Sequence, residues 1–240
     1  MPTFVNSRVA IIVPSFRDVE FLRGCIDSVW EHTVVPFNII VVSSDPDEEM
    51  KAYLEECASG GWIVAHCPHK RLWFTEACNQ GLRLAMAVET PPFTHFLLLN
   101  SDVEVLPGWL SHMLGDMYEL DCGIMGCKTL TGDGKIDHAG AFGPGFHYGI
   151  RKENSGYWEQ RVCRAGKEWV TGAVFLLRRD VLETVGLLDE VQNPHIGSDR
   201  EFCLAAQRAG FNVGFSPATI YHFTLLHHHL KEGHDGSQGI

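Results

Sequence analysis

Asn100-Ser101-Asp102 follows four consecutive apolar residues, Phe96 to Leu99, and Glu104 stands two positions further on. A short apolar run that ends abruptly in polar groups reads as a buried strand leaving a sheet. In open α/β sheets, ligands bind at the carboxyl ends of such strands. A carboxylate there, Asp102, can hold a hard divalent cation, which in turn holds phosphate oxygens. Asn, Ser and Asp are also ordinary turn formers, so alone the three residues read first as a polar turn. A second polar cluster, Ser198-Asp199-Arg200-Glu201, opens a helical pattern. Ser198 and Glu201 have capping-box spacing, and Asp199 in the first turn suits the positive end of the helix dipole. His222 closes the last apolar run and is one of thirteen histidines. The run His227-His228-His229 reads as a solvated segment or an adventitious metal site.

The elements that must carry these residues alternate regularly in the first hundred positions. Residues 8–13, 37–42, 62–66 and 96–99 read as strands, and 18–31, about 45–58 and 75–88 as helices. Asp45-Pro46 reads as an N-cap followed by proline at the first helical position. Such alternation implies a mostly parallel sheet with helices on both faces. Beyond it, 107–120 and 198–209 read as helices, 180–185 as a short helix, and 122–130, 169–177, 211–215 and 219–222 as strands. The segment 131–167 is rich in glycine and aromatics with weak periodicity, too long for an ordinary connection. The tail from Lys231 is polar.

Size and charge narrow the classes further. The chain has 240 residues, 45% apolar and 20% charged, which fits a globular domain with ample core. A net charge of −11 argues against nucleic acid as a partner, since phosphate-backbone binding needs a basic face. No apolar run approaches the roughly 20 residues that span a bilayer. The N-terminus lacks a basic region and a long apolar stretch of signal-peptide type. Eight scattered cysteines without a C-x-x-C pair then read as reduced, mostly buried thiols, which suits the cytoplasm, free or peripheral to the membrane. A P-loop, a G-x-G-x-x-G after the first strand and a G-x-S-x-G elbow are all missing. A nucleotide-dependent enzyme can still hold its diphosphate through a metal.

Taken in order, VAIIVPSFRDVEFLRGCIDSV, IIVV, RLWFTEACNQGLRLA, LLLNSDVEVLPGWL, WVTGAVFLLRRDVLETVGLLDE and SDREFCLAAQRAGFNVGFSPATIYH resemble glycosyltransferase family 2. The resemblance runs from about Val9 to His222 and is nearest in flavour to the rhamnosyltransferase-like branch. It implies a Rossmann-like GT-A fold of the α/β class, a mostly parallel central sheet flanked by helices. It also implies one domain over 1–240, with 1–103 binding the nucleotide-sugar, 104–225 the acceptor, and 226–240 a polar tail. The implied reaction is metal-dependent and inverting: a sugar passes from a UDP-, dTDP- or GDP-linked donor to a glycan, a lipid-linked acceptor or another hydroxyl.

Residue by residue, the resemblance makes Asp102 the last acid of the family's D-x-D motif, binding Mg²⁺ or Mn²⁺, with Asn100 and Ser101 facing the donor. His222 falls where the family supplies a histidine to metal or diphosphate. Asp199 matches the catalytic base, although the usual E-D-x-D is here S-D-R-E, and Glu201 falls on the acceptor side. Pro14, Ser15, Phe16, Ser43 and Asp45 should surround the nucleobase, with Ser43 standing where the family has an aspartate. Arg71 and Asn79 fall in the segment that approaches the donor, and Asn79 reads equally as a helix residue bonding a neighbouring loop. Gly172, on the acceptor side, permits close backbone approach by a ligand, though tight packing explains it too, and Arg178 or Arg179 either supports the acceptor or faces solvent. Residues 140–165 are expected to order over bound substrate. A homo-oligomer is compatible with all of this. Two rivals remain: a GT-A-fold binding protein without turnover, and a nucleotidyltransferase.

Overall fold

Four runs of apolar, largely β-branched residues build the centre: β1 (Val9–Ser15), β2 (Phe37–Ser43), β3 (Ile63–His66) and β4 (His95–Leu99). Successive side chains point to opposite faces, so Val9, Ile11 and Val13 enter one apolar layer and Ala10 and Ile12 the other. This is a computed structural model, and it describes residues 6–154 and 158–223. The tail 226–240, with His227–His229, lies outside the described residues.

Helices α1 (Val19–His32), α2 (Glu48–Ser59) and α3 (Phe74–Met86) connect these strands. β5 (Val103–Val105), α4 (Trp109–Glu119) and β6 (Cys122–Leu130) follow. The segment read as irregular contains β7 (Ile136–His138), β8 (Ala141–Phe142), β9 (Phe146–His147) and β10 (Arg161–Val162). The chain closes with β11 (Glu168–Trp169), β12 (Val174–Arg178), α5 (Arg179–Val185), α6 (Ser198–Arg208) and β13 (Asn212–His222).

The main sheet has the order β10-β13-β6-β12-β4-β1-β2-β3, with β5 on β13 and β7 on β6. The pairings β1–β2, β1–β4, β2–β3 and β13–β6 are parallel, while β12 runs against both β4 and β6. The same-direction strands therefore end along one edge, at Ser15, Ser43, Leu99, Leu130 and His222. Helices α1, α2 and α4 cover one face, and α3, α5 and α6 the other. Gly81 lets α3 lie close on β1: a Cβ there would come within 2.3 Å of Ile12 Cγ2. No helix among the described residues is long and apolar enough to cross a membrane. All eight cysteines are free thiols, and only Cys67 is exposed.

Several local expectations are corrected. Asp45 does not cap α2; it has φ +51° and pairs with Arg17, and Asp47 caps the helix by accepting Met50 N–H at 2.9 Å. The capping box at Ser198 does not form, because the N-cap of α6 is Gly197 in the left-handed region and Ser198 is already helical. The strand expected over 169–177 is broken at 170–173, where successive amides turn to side-chain acceptors. The two last strands are one, β13, with a register shift between Ser216 and Thr219.

Candidate active site

Asn100, Ser101 and Asp102 leave the end of β4 in mid-edge. The Asn100 amide donates to Ala173 O at 3.0 Å, which draws the break before β12 alongside. Ser101 and Asp102 are buried, yet Ser101 Oγ and Asp102 Oδ1 have no hydrogen-bond partner, nor does Asn100 Oδ1. Buried polar atoms in that state are costly unless something else satisfies them. His222, at the end of β13, brings Nε2 to 3.4 Å from Asp102 Oδ1, an ion-pair distance without hydrogen-bond alignment. The same nitrogen lies 3.3 Å from Asn100 Nδ2. His222 Nδ1 meets Asp137 Oδ2 at 2.9 Å, and Thr129 Oγ1 donates to that same oxygen at 2.9 Å. Burial pulls the His222 pKa down, but Asp102 and Asp137 outweigh it and raise it to about 9. Burial likewise pushes Asp137 up, and the contacts from His222 and Thr129 bring it below the usual carboxylate range.

Asp199 sits in the first turn of α6, beside the 170–173 break. Its Oδ2 accepts Gly172 N–H at 2.8 Å and its Oδ1 accepts Arg200 N–H at 2.8 Å. Burial raises its pKa, and the amides of Gly172 and Arg200 offset only part of that rise. Next in the turn, Thr171 N–H donates to His138 Nε2 at 3.2 Å, and His138 Nδ1 lies 3.1 Å from His147 Nδ1. Glu201 pairs with Arg200. Sequence reasoning missed Asp137, His138, His147 and Thr171. The adjacent Asp-His pair inside an otherwise Gly-rich, weakly periodic segment was the only signal available.

On the other flank, the ends of β1 and β2 are joined by Ser44 N–H donating to Ser15 O at 2.9 Å. Ser44 Oγ donates to Leu72 O at 3.1 Å and accepts Leu72 N–H at 2.7 Å, which fixes the loop after β3. Pro14 is buried within β1, and Ser43 Oγ is buried without a partner. Phe16 lies under the Arg71 guanidinium, 4.9 Å from its ring centroid, and Arg71 also lies 5.9 Å from the Trp73 ring. Trp73 meets His195 edge-on at 3.8 Å, so this stack reaches from the loop after β1 to the loop before α6. A depression of about 550 Å³ beside it is lined by Asp45, Lys51, Cys67, His69, Lys70 and Arg71 among others.

Two expectations fall away from the cleft. Asn79 is buried and holds the loop after α5: its Nδ2 donates to Leu188 O at 2.9 Å and Glu190 Oε2 at 2.7 Å, and its Oδ1 accepts Leu188 N–H at 3.1 Å. Its amide is spent on that loop, the second of its two readings. Arg178 and Arg179 lie at the opposite sheet edge, because β12 is antiparallel and Arg178 pairs with His95 at the start of β4. They bond Asp180, Asp121 and Glu183 there. The segment expected to order over substrate makes hydrogen bonds to its flanking residues where described. Arg161 Nη2 donates to Ala139 O at 2.7 Å, and Tyr148 Oη donates to Glu168 Oε1 at 2.6 Å.

The family model described as Glycosyl transferase family 2 matches residues 10–186. The chain belongs to glycosyltransferase family 2. It is 29% identical to the O-antigen biosynthesis protein RfbC of Myxococcus xanthus over 95% of its own length and 18% of the relative. The chain spans a quarter or less of the length of the curated relatives it matches, at 25% and 18%. In structure it is similar to the mannosyltransferase PcManGT from Pyrobaculum calidifontis in complex with GDP-Man and Mn²⁺. That likeness has TM-score 0.62 and 12% identity, covering 97% of this chain and 66% of the other. GalNAc-T7 with UDP, GalNAc and Mn²⁺ superposes with TM-score 0.64 and 14% identity, covering 90% of this chain and 44% of the other. The fold is GT-A.

Proposed function

We propose that this family 2 glycosyltransferase moves a sugar from a nucleoside-diphosphate donor to a hydroxyl acceptor with inversion at the anomeric carbon. The observation that carries the reading is the seat of Asp199. Its carboxylate is fixed by Gly172 N–H in the turn whose next residue, Ala173, accepts from Asn100. A base and a candidate diphosphate-binding carboxylate thus share one edge of the sheet. Asp199 would take the proton of the acceptor hydroxyl as its oxygen attacks the anomeric carbon, and the bond from that carbon to the diphosphate oxygen breaks.

The residues at Asp102 fit a divalent cation. A buried carboxylate oxygen without a partner and an imidazole nitrogen face one another, a donor set suited to Mn²⁺ or Mg²⁺. Among the described residues no group of three or more His, Cys, Asp or Glu is arranged to hold an ion. Two side chains leave the remaining positions to donor phosphates and water. When bound, the cation supplies positive charge for the departing diphosphate. PcManGT and GalNAc-T7 were both solved with Mn²⁺ and a nucleotide or nucleotide-sugar, which supports this reading. Phe16, Arg71 and the depression beside them would take the nucleobase and ribose, with 1–103 serving the donor and 104–225 the acceptor. Likeness to an O-antigen biosynthesis protein favours a glycan or lipid-linked acceptor of polysaccharide assembly.

Metal-dependent release of nucleoside diphosphate from UDP-, GDP- and dTDP-sugars tests the proposal in wild type, Asp102→Ala and Asp199→Asn. Release with one donor, lost in both variants, supports it; release unaffected by either variant overturns it. A second reading, donor binding without turnover, is favoured by the hold on Asp199, whose two oxygens each already accept an amide. It predicts calorimetric binding with no release.

A further inference from the structure

Asp137 lies in no motif, yet it is the partner that decides which way the His222 ring faces. Both of its close contacts fall on Oδ2, at 2.9 Å from His222 Nδ1 and 2.9 Å from Thr129 Oγ1. An ionised carboxylate only accepts hydrogen bonds, so Nδ1 must carry its proton. The other ring nitrogen, Nε2, is thereby turned toward Asp102 Oδ1 at 3.4 Å and Asn100 Nδ2 at 3.3 Å. The fold makes this arrangement stiff. His222 ends β13, whose neighbour β6 carries Thr129, and Thr129 is in register with His138 of β7 beside Asp137. The three side chains therefore come from three hydrogen-bonded strands of one sheet.

We propose that Asp137 is the positioning carboxylate of the cation site. By holding Nδ1–H it orients the ring so that Nε2 faces Asp102 Oδ1, the pair to which Mn²⁺ would bind with release of the Nε2 proton. The inference rests on the reading of Asp102 and His222 as cation ligands given above. A carboxylate behind a ligating histidine fixes the tautomer and the ring orientation, and its loss typically weakens metal binding. A merely structural ion pair would stabilise the strands and leave metal affinity untouched.

The test titrates Mn²⁺ into the protein with UDP or GDP, read by electron paramagnetic resonance of the free ion. The ¹⁴N modulation of the bound Mn²⁺ echo reports a coordinated imidazole. Wild type should bind Mn²⁺ with the nitrogen signature, and Asp102→Ala should abolish binding. Asp137→Ala should weaken affinity roughly tenfold to a hundredfold and lose the nitrogen signature. Asp137→Asn, which can still accept from Nδ1, should recover part of both. Should Asp137→Ala fail to fold, Thr129→Val removes the other hold on Oδ2 and should give a smaller loss of affinity. Wild-type affinity and nitrogen signature in either Asp137→Ala or Thr129→Val overturn the positioning role alone. Absence of Mn²⁺ binding by the wild type with both nucleotides overturns the cation reading itself, and this inference with it.

Discussion

Gly172 N–H donates to Asp199 Oδ2 at 2.8 Å, and a Cβ at position 172 would stand 3.2 Å from the Cβ of Asp199. The glycine lets the turn pack closely against the carboxylate. Gly172→Ala keeps the amide donor but pushes the carboxylate by a few tenths of an ångström. A base displaced from its proton loses rate steeply, so kcat should fall on the order of tenfold to a hundredfold. Donor affinity should hold. Steady-state kinetics with calorimetry of donor binding separates the two, and an unchanged kcat would mean Asp199 is not positioned by this turn.

Asn79 supplies a contrasting case, in which stability should suffer and donor binding should not. Removing its amide leaves the N–H and the C=O of Leu188 without the partners they have in the interior. Asn79→Ala should therefore cost about 2–3 kcal/mol. Chemical unfolding measures the loss, and calorimetry should give unchanged donor affinity. A selective drop in donor affinity with normal stability would return Asn79 to the donor site.

These contrasts mark what was legible in the sequence. The strands ending at Ser15, Ser43, Leu99 and His222 were readable because buried parallel strands are continuous apolar runs. That put Asp102 at the end of a strand, while the role of His222 came only from the family resemblance and its place beside Asp102 from the pairing of β13 with β6 and β5. Asp199 came from a motif; its helix start at Ser198 was legible, but its cap was misread because Gly197 takes a left-handed backbone that spacing rules do not reveal. Asp137 and His138 were invisible for a physical reason. A three-residue strand in a glycine-rich segment has no period to detect, and its partners lie 85 positions away in Asp137–His222 and 33 in His138–Thr171. Arg178 and Arg179 were left between two readings, and the solvent-facing one holds, because strand direction inside a sheet is set by pairing, which local pattern does not encode.

Acid should destabilise the fold through His95. This side chain is buried between Thr94 Oγ1, 2.9 Å from Nδ1, and Tyr118 Oη, 3.5 Å from Nε2. Burial, assisted by Arg178, lowers its pKa from 6.5 to about 4. As pH falls the unfolded chain takes up the proton first, so the stability held above 6.5 is lost progressively as pH drops toward the folded value. From pH 7 to pH 5 the loss from this one residue should be about 2 kcal/mol. Urea unfolding at several pH values should give a shallower slope for His95→Gln than for wild type; identical slopes would show that the histidine is not buried neutral.

Asp199 should set the acid limb of activity. A base works only when ionised, and burial lifts this carboxyl above its ordinary value of 3.8 against the opposing pull of the Gly172 and Arg200 amides. Catalysis should therefore rise with pH through an apparent pKa above the ordinary carboxylate range and flatten once Asp199 is ionised. Asp199→Asn should remove transfer at every pH, since an amide cannot take the acceptor proton. Gly172→Ala weakens an interaction that favours the ionised form, so its acid limb should move to higher pH than that of the wild type. A limb that stays fixed in Gly172→Ala, with transfer persisting in Asp199→Asn, would assign proton removal to another group.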